Sequence, residues 1–89
     1  MLYPSIPLPD RTELLQMFRD LATEITEKDF QHVLESNVIA ELGVDSLAML
    51  EVVGEMEREL QIQIPDDDLN GVETVGQLLD VAVSRVPGG

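Results

Sequence analysis

Asp45-Ser46-Leu47, entered through Leu42-Gly43-Val44, is where this chain best suits covalent chemistry. A serine in the first turn of a helix lies among backbone N–H groups that have no partner inside the helix. It also lies at the positive end of the helix dipole, a setting that suits a phosphodiester. Asp45 fits the N-cap, and Gly43 supplies the turn that lets the chain enter at that angle. Taken alone, the same residues also fit a plain helix start with no function.

Other chemistries fit less well. Nucleophilic catalysis at Ser46 needs a base, but the chain holds one histidine, His32, and Gly43-Val44-Asp45-Ser46 is not a Gly-x-Ser-x-Gly elbow. His32 reads as a surface or boundary residue, and no glycine-rich phosphate loop is present. Asp66-x-Asp68-x-Asn70-Gly71 matches the first half of a calcium loop, yet Gln77 stands where the bidentate glutamate belongs. No metal site is expected. A shaped, dry pocket for paired carboxylates is more than a domain of 89 residues is expected to supply.

The elements that must hold Ser46 are helical. Asp10 with Glu13 forms a capping box, and Leu14, Leu15, Phe18, Leu21, Ala22 and Ile25 recur at helical spacing, which predicts a first helix over 10–26. Residues 26–42 read as a long connection with a short turn of helix. A second helix runs from Asp45 or Ser46 to Leu60, with Met49, Val52, Val53, Met56 and Leu60 on one face. Ile62-Gln63-Ile64 alternates like a strand but has nothing to pair with, and Pro65 suits the first turn of a short third helix ended by Gly71. Thr74 and Gln77 form a second capping box ahead of a last helix, with Val75, Leu78, Leu79, Ala82 and Val86 as its apolar stripe. The expected fold is all-α, a small four-helix bundle of three longer helices and one short one. Its domain spans 10–86, between a flexible proline-rich arm, 1–9, and a flexible tail, 87–89.

Composition narrows the function. Cysteine and tryptophan are absent, so helix packing rather than disulfide or zinc-thiolate bonds must hold the domain. Eighteen carboxylates against five lysines and arginines give a net charge of −13, which disfavours nucleic acid and anionic membranes and favours basic protein partners. The acids crowd between Glu41 and Glu73, opposed only by Arg58. A solvated acidic face and a docking face fit that distribution equally. No secretory signal or membrane span is evident, so a cytoplasmic monomer is the expectation.

Leu42-Gly43-Val44-Asp45-Ser46-Leu47, followed by Glu51, Ile64-Pro65-Asp66 and Thr74-Val75, resembles the acyl carrier proteins of fatty acid and polyketide synthesis, from Leu14 to Val86. The resemblance implies a carrier, not an enzyme, with 4′-phosphopantetheine attached to Ser46 beside Asp45. Implied partners are a phosphopantetheinyl transferase and acyl-processing enzymes such as ketosynthases and acyltransferases, which read the second helix through basic patches. Residue by residue, Asp45, Leu47, Glu51 and Glu57 fall on the family's contact positions, and Met49 and Gly54 on its variable apolar ones.

Two residues depart from the bacterial fatty-acid pattern. Ala48 stands where those carriers place an acid, and Arg58 where they are acidic. Asp45-Ser46-Leu47-Ala48 followed by Met49-Leu50-Glu51 is similar to free-standing carriers of polyketide or other secondary-metabolite assembly lines. Val44, in place of a second glycine, argues against the peptidyl carriers. Fatty-acid carriers, peptidyl carriers and an unmodified helical interaction domain remain the alternatives.

Overall fold

Asp10 opens the first helix as its spacing predicts. Its carboxylate accepts the Glu13 N–H at 2.8 Å, and the Glu13 side chain accepts the Asp10 N–H at 3.0 Å. The structure is a computed structural model and describes residues 10–86; the expected flexible arm, 1–9, and tail, 87–89, lie outside that range. Helix α1 spans Arg11–Thr26 and buries Leu14, Phe18 and Ala22 completely. It ends at Glu27, whose φ of 59° and N–H bond to the Thr23 carbonyl turn the chain out of the helix.

Helix α2 spans Ser46–Leu60 and turns Val52, Val53 and Met56 into the core. Leu60, placed by its spacing on that face, is only half-buried, because the helix stops there at Gln61 in the left-handed conformation. The last helix, α3, spans Val75–Arg85 and buries Val75, Leu78, Leu79 and Ala82. Val86 packs against the core from the edge. Helix α1 lies chiefly against α2, and α3 rests on α1 and on residues 66–69. The predicted short third helix is a single 3-10 turn, Asp66–Leu69, and a second such turn, Ile39–Leu42, lies in the long connection. Ile62 and Ile64 are buried side chains of an extended segment, with Gln63 outward between them. Among the described residues no strands form; the one β-like contact is an isolated antiparallel bridge between Val38 and Thr74.

The connection, expected as a long loop with a short turn of helix and carrying that turn at Ile39–Leu42, is fastened by hydrogen bonds to its neighbours. The Asn37 side chain accepts the Leu34 N–H at 2.7 Å, and the Phe30 carbonyl accepts a hydrogen bond from Arg19 Nε at 2.7 Å. The loop also satisfies the start of α3. Val75 donates to the Asn37 carbonyl at 3.0 Å, Gly76 to the Glu35 carbonyl at 2.8 Å, and Gln77 to the Thr74 hydroxyl at 3.2 Å. Glycine suits the closeness of that approach at 76: a Cβ there would stand 3.1 Å from the Glu35 carbonyl oxygen, so the loop would have to give by a few tenths of an ångström. Arg11 closes the cluster from α1, donating to Glu35, to Asp80 at 2.7 Å and to the Gly76 carbonyl at 3.2 Å. The guanidinium's hydrogen bond holds the Glu35 carboxyl below its usual range, and Glu35 in turn raises Arg11.

Candidate functional site

Ser46 is the first residue of α2 and is exposed. Three local devices put it there. The 3-10 turn Ile39–Leu42 ends at Gly43, whose φ of 87° is left-handed, and whose N–H donates to the Ala40 carbonyl at 3.1 Å. Val44 then anchors the strap, its side chain buried in the core. Asp45 caps the helix, its carboxylate accepting the Ala48 N–H at 2.8 Å and its carbonyl the Met49 N–H at 2.8 Å.

The Ser46 hydroxyl enters no hydrogen bond among the described residues, and the N–H groups of Ser46 and Leu47 are left unpaired at the positive end of a 15-residue helix. An exposed, uncommitted hydroxyl beside free N–H donors suits a covalently attached phosphodiester. A hydroxyl spent on capping would not be free in this way; here Asp45 takes that task. His32 is exposed on the connection, beside the first half of α1 rather than the start of α2, and supplies no base to Ser46.

Two troughs flank the serine. One, about 630 Å³, runs between the start of α2, the turn Ile39–Leu42 and residues 72–73; Val38, Val44, Met49 and Val72 give it an apolar floor, and Glu41 and Glu73 lie on its rim. The other, about 370 Å³, runs toward the end of α1 and is walled by Ile25, Lys28, Gly43, Leu47, Ala48 and Glu51. Leu47 is 67% exposed and Leu50 52% exposed, so α2 presents two large apolar side chains to solvent next to Ser46.

Of the contact residues expected on α2, Asp45, Leu47 and Glu51 are exposed around Ser46, and Met49 is half-buried in the apolar trough. Gly54, Glu57 and Arg58 stand apart from them, lining a separate groove of about 530 Å³ with Ile62–Pro65. Arg58 is exposed and pairs with Glu55 at 3.5 Å. Glu57 has structural work: its carboxylate accepts the Ile64 N–H at 2.7 Å, and its carbonyl accepts the Ile62 N–H at 3.0 Å. Spacing alone could not reveal that, since the acceptor and donor are seven residues apart across the end of the helix. In the acidic turn, Asp68 is bound by Arg85 at 2.7 Å, and no group of three potential ligands among the described residues is placed to hold a metal.

The helical fold, the capped and exposed serine and the pattern around it define a carrier domain. The pattern described as a phosphopantetheine attachment site matches residues 12–82, and the chain belongs to that family, the acyl carrier proteins. An acyl carrier protein of Clostridium perfringens is 35% identical over 60 residues, which cover 67% of this chain and 79% of that protein. The non-reducing polyketide synthase dbaI of Emericella nidulans is 30% identical over 71 residues, 80% of this chain but only 3% of that synthase. The crystal structure of an acyl carrier protein from Thermotoga maritima superposes with a TM-score of 0.78 at 31% identity, covering 84% of this chain and 88% of that one. The chain is therefore an acyl carrier protein, a carrier rather than a catalyst, and its cofactor is covalently attached 4′-phosphopantetheine.

Proposed function

We propose that Ser46 is the residue that bears the 4′-phosphopantetheine, and that this chain presents acyl thioesters to the enzymes of a polyketide or other specialised pathway in the cytoplasm. The uncommitted hydroxyl of Ser46 at the exposed start of α2 carries the first half of the reading. The attached arm supplies a terminal thiol, which a chain without cysteine cannot provide itself. Asp45 fixes the helix start, the free N–H groups of Ser46 and Leu47 face the phosphodiester, and a long tether lets one cargo visit several active sites at high effective concentration.

Partner enzymes dock where Asp45, Leu47 and Glu51 surround the serine, an apolar knob within a negative field that suits basic surfaces on a phosphopantetheinyl transferase, a ketosynthase or an acyltransferase. Met49 and Gly54 contribute apolar surface, and Arg58 marks the far end of the same helix. Ala48 and Arg58, at positions where fatty-acid carriers are acidic, support the specialised pathway; the similarity to both kinds of relative keeps fatty-acid synthesis as the second reading.

Coexpression with a broad-specificity phosphopantetheinyl transferase tests the assignment. Intact mass should rise by one phosphopantetheinyl group in the wild type and not in Ser46→Ala. A gain that survives the substitution, or no gain in either protein, overturns it.

A further inference from the structure

Five cations serve this strongly acidic chain, and four of them are committed. Arg11 holds Glu35 and Asp80, Arg19 holds the Phe30 carbonyl, Arg58 pairs with Glu55, and Arg85 with Asp68. The ammonium of Lys28 takes no carboxylate or carbonyl among the described residues, although Glu27 and Asp29 adjoin it in sequence and Asp45 and Glu51 share its trough.

The backbone aims it. The left-handed turn at Glu27 swings the chain off α1, and the Lys28 N–H is held by the Thr26 hydroxyl at 3.3 Å. From there the side chain reaches across to Gly43, where its ammonium fills the space that a Cβ on Gly43 would need. Among the described residues, the one lysine or arginine left uncommitted thus lies over the turn that delivers Ser46, in a trough bounded by Asp45, Leu47 and Glu51.

We infer that Lys28 is a positioning residue for the arm: its ammonium neutralises the phosphodiester on Ser46 and holds the root of the arm on the Ile25–Leu47 side of α2. The inference rests on Ser46 being the attachment residue. Arming places a new negative charge beside Asp45 and Glu51 on a chain already at −13, and Lys28 is the cation within the adjoining trough that is free to answer it. The flexible four-carbon stem lets the ammonium follow the phosphate without moving the backbone.

A thermodynamic cycle tests it, with melting temperatures of the unarmed and armed forms measured for the wild type, Lys28→Gln and Lys28→Arg. Arming should cost Lys28→Gln about 1–4 °C more than it costs the wild type or Lys28→Arg. The difference should vanish at about 1 M salt. The phosphorus resonance of the armed protein should also move between wild type and Lys28→Gln. A lysine that only braces the Gly43 turn, or serves only a partner's carboxylate, would change both forms equally. Equal arming shifts in the three proteins, or a difference that survives high salt, overturns the role of Lys28 while leaving Ser46 in place. Absence of any mass gain on Ser46 overturns both.

Discussion

Gly43→Ala tests whether the turn that presents Ser46 depends on its left-handed backbone. Gly43 has φ 87° and ψ 13°, where an alanine costs about 1–2 kcal/mol relative to a right-handed conformation. Against this, removing a glycine restricts the unfolded chain and returns about 0.4–1 kcal/mol. The new methyl would also meet the Lys28 ammonium, but the end of a flexible exposed chain moves away at little cost. The net expectation is a loss of about 0.5–1.5 kcal/mol, or about 2–12 °C in melting temperature for a domain of this size. Thermal unfolding followed by circular dichroism at matched salt measures it, and repeating the substitution in a Lys28→Ala background separates strain from collision. If backbone strain dominates, the loss is the same in both backgrounds. An unchanged or raised melting temperature would refute the strain argument, and a loss abolished by Lys28→Ala would assign the cost to the side chain.

Leu79→Ala should cost about 2–5 kcal/mol in denaturant unfolding because the side chain is completely buried, whereas Leu60→Ala, half-buried at the end of α2, should cost less than half as much. Glu51→Lys should leave stability within about 0.5 kcal/mol but slow transferase and partner reactions, most of all at low salt. Glu57→Ala should lower stability by about 1–2 kcal/mol, because the Ile64 N–H loses its acceptor. Acid should erase the Arg11–Glu35 contribution. The Glu35 pKa is lowered in the folded state, so its stabilisation is present above the unfolded carboxylate range and fades as pH falls through the lowered value. The stability gap between wild type and Glu35→Gln should therefore be open at about pH 7 and narrow progressively as pH falls below the ordinary carboxylate range.

Legibility followed the range of the forces involved. Asp10 with Glu13 and Thr74 with Gln77 act within one turn, so both capping boxes, and the helices they open, could be read from spacing. Ser46 was legible for the same reason: its cap, its turn and its exposure are all set within a few residues. The connection 27–38 was not, because what orders it is remote in sequence. Arg11 reaches Glu35 across 24 residues and Gly76 across 65, and the loop's own carbonyls are consumed by α3. Asn37 is in place a double connector, holding Leu34 with its side chain and Val75 with its carbonyl.

The same contrast explains the two residues of the site region whose roles spacing could not assign. Glu57 is expected from the resemblance as a partner-contact position, yet the chain reverses at Gln61 and brings the Ile64 N–H back to its carboxylate. Lys28 is given no role by its spacing, yet the exit from α1 brings its ammonium over the glycine at 43, in a trough shared with Asp45 and Leu47. In both cases the charge was visible and its direction was not, because a reversal in the backbone decides what a long side chain can reach. The negative field of α2 is therefore less uniform than its composition implies. Glu57 is partly withdrawn from it, Lys28 intrudes on it over Gly43, and Glu51 with Leu47 and Leu50 stays exposed, which is the surface that the proposed docking would use.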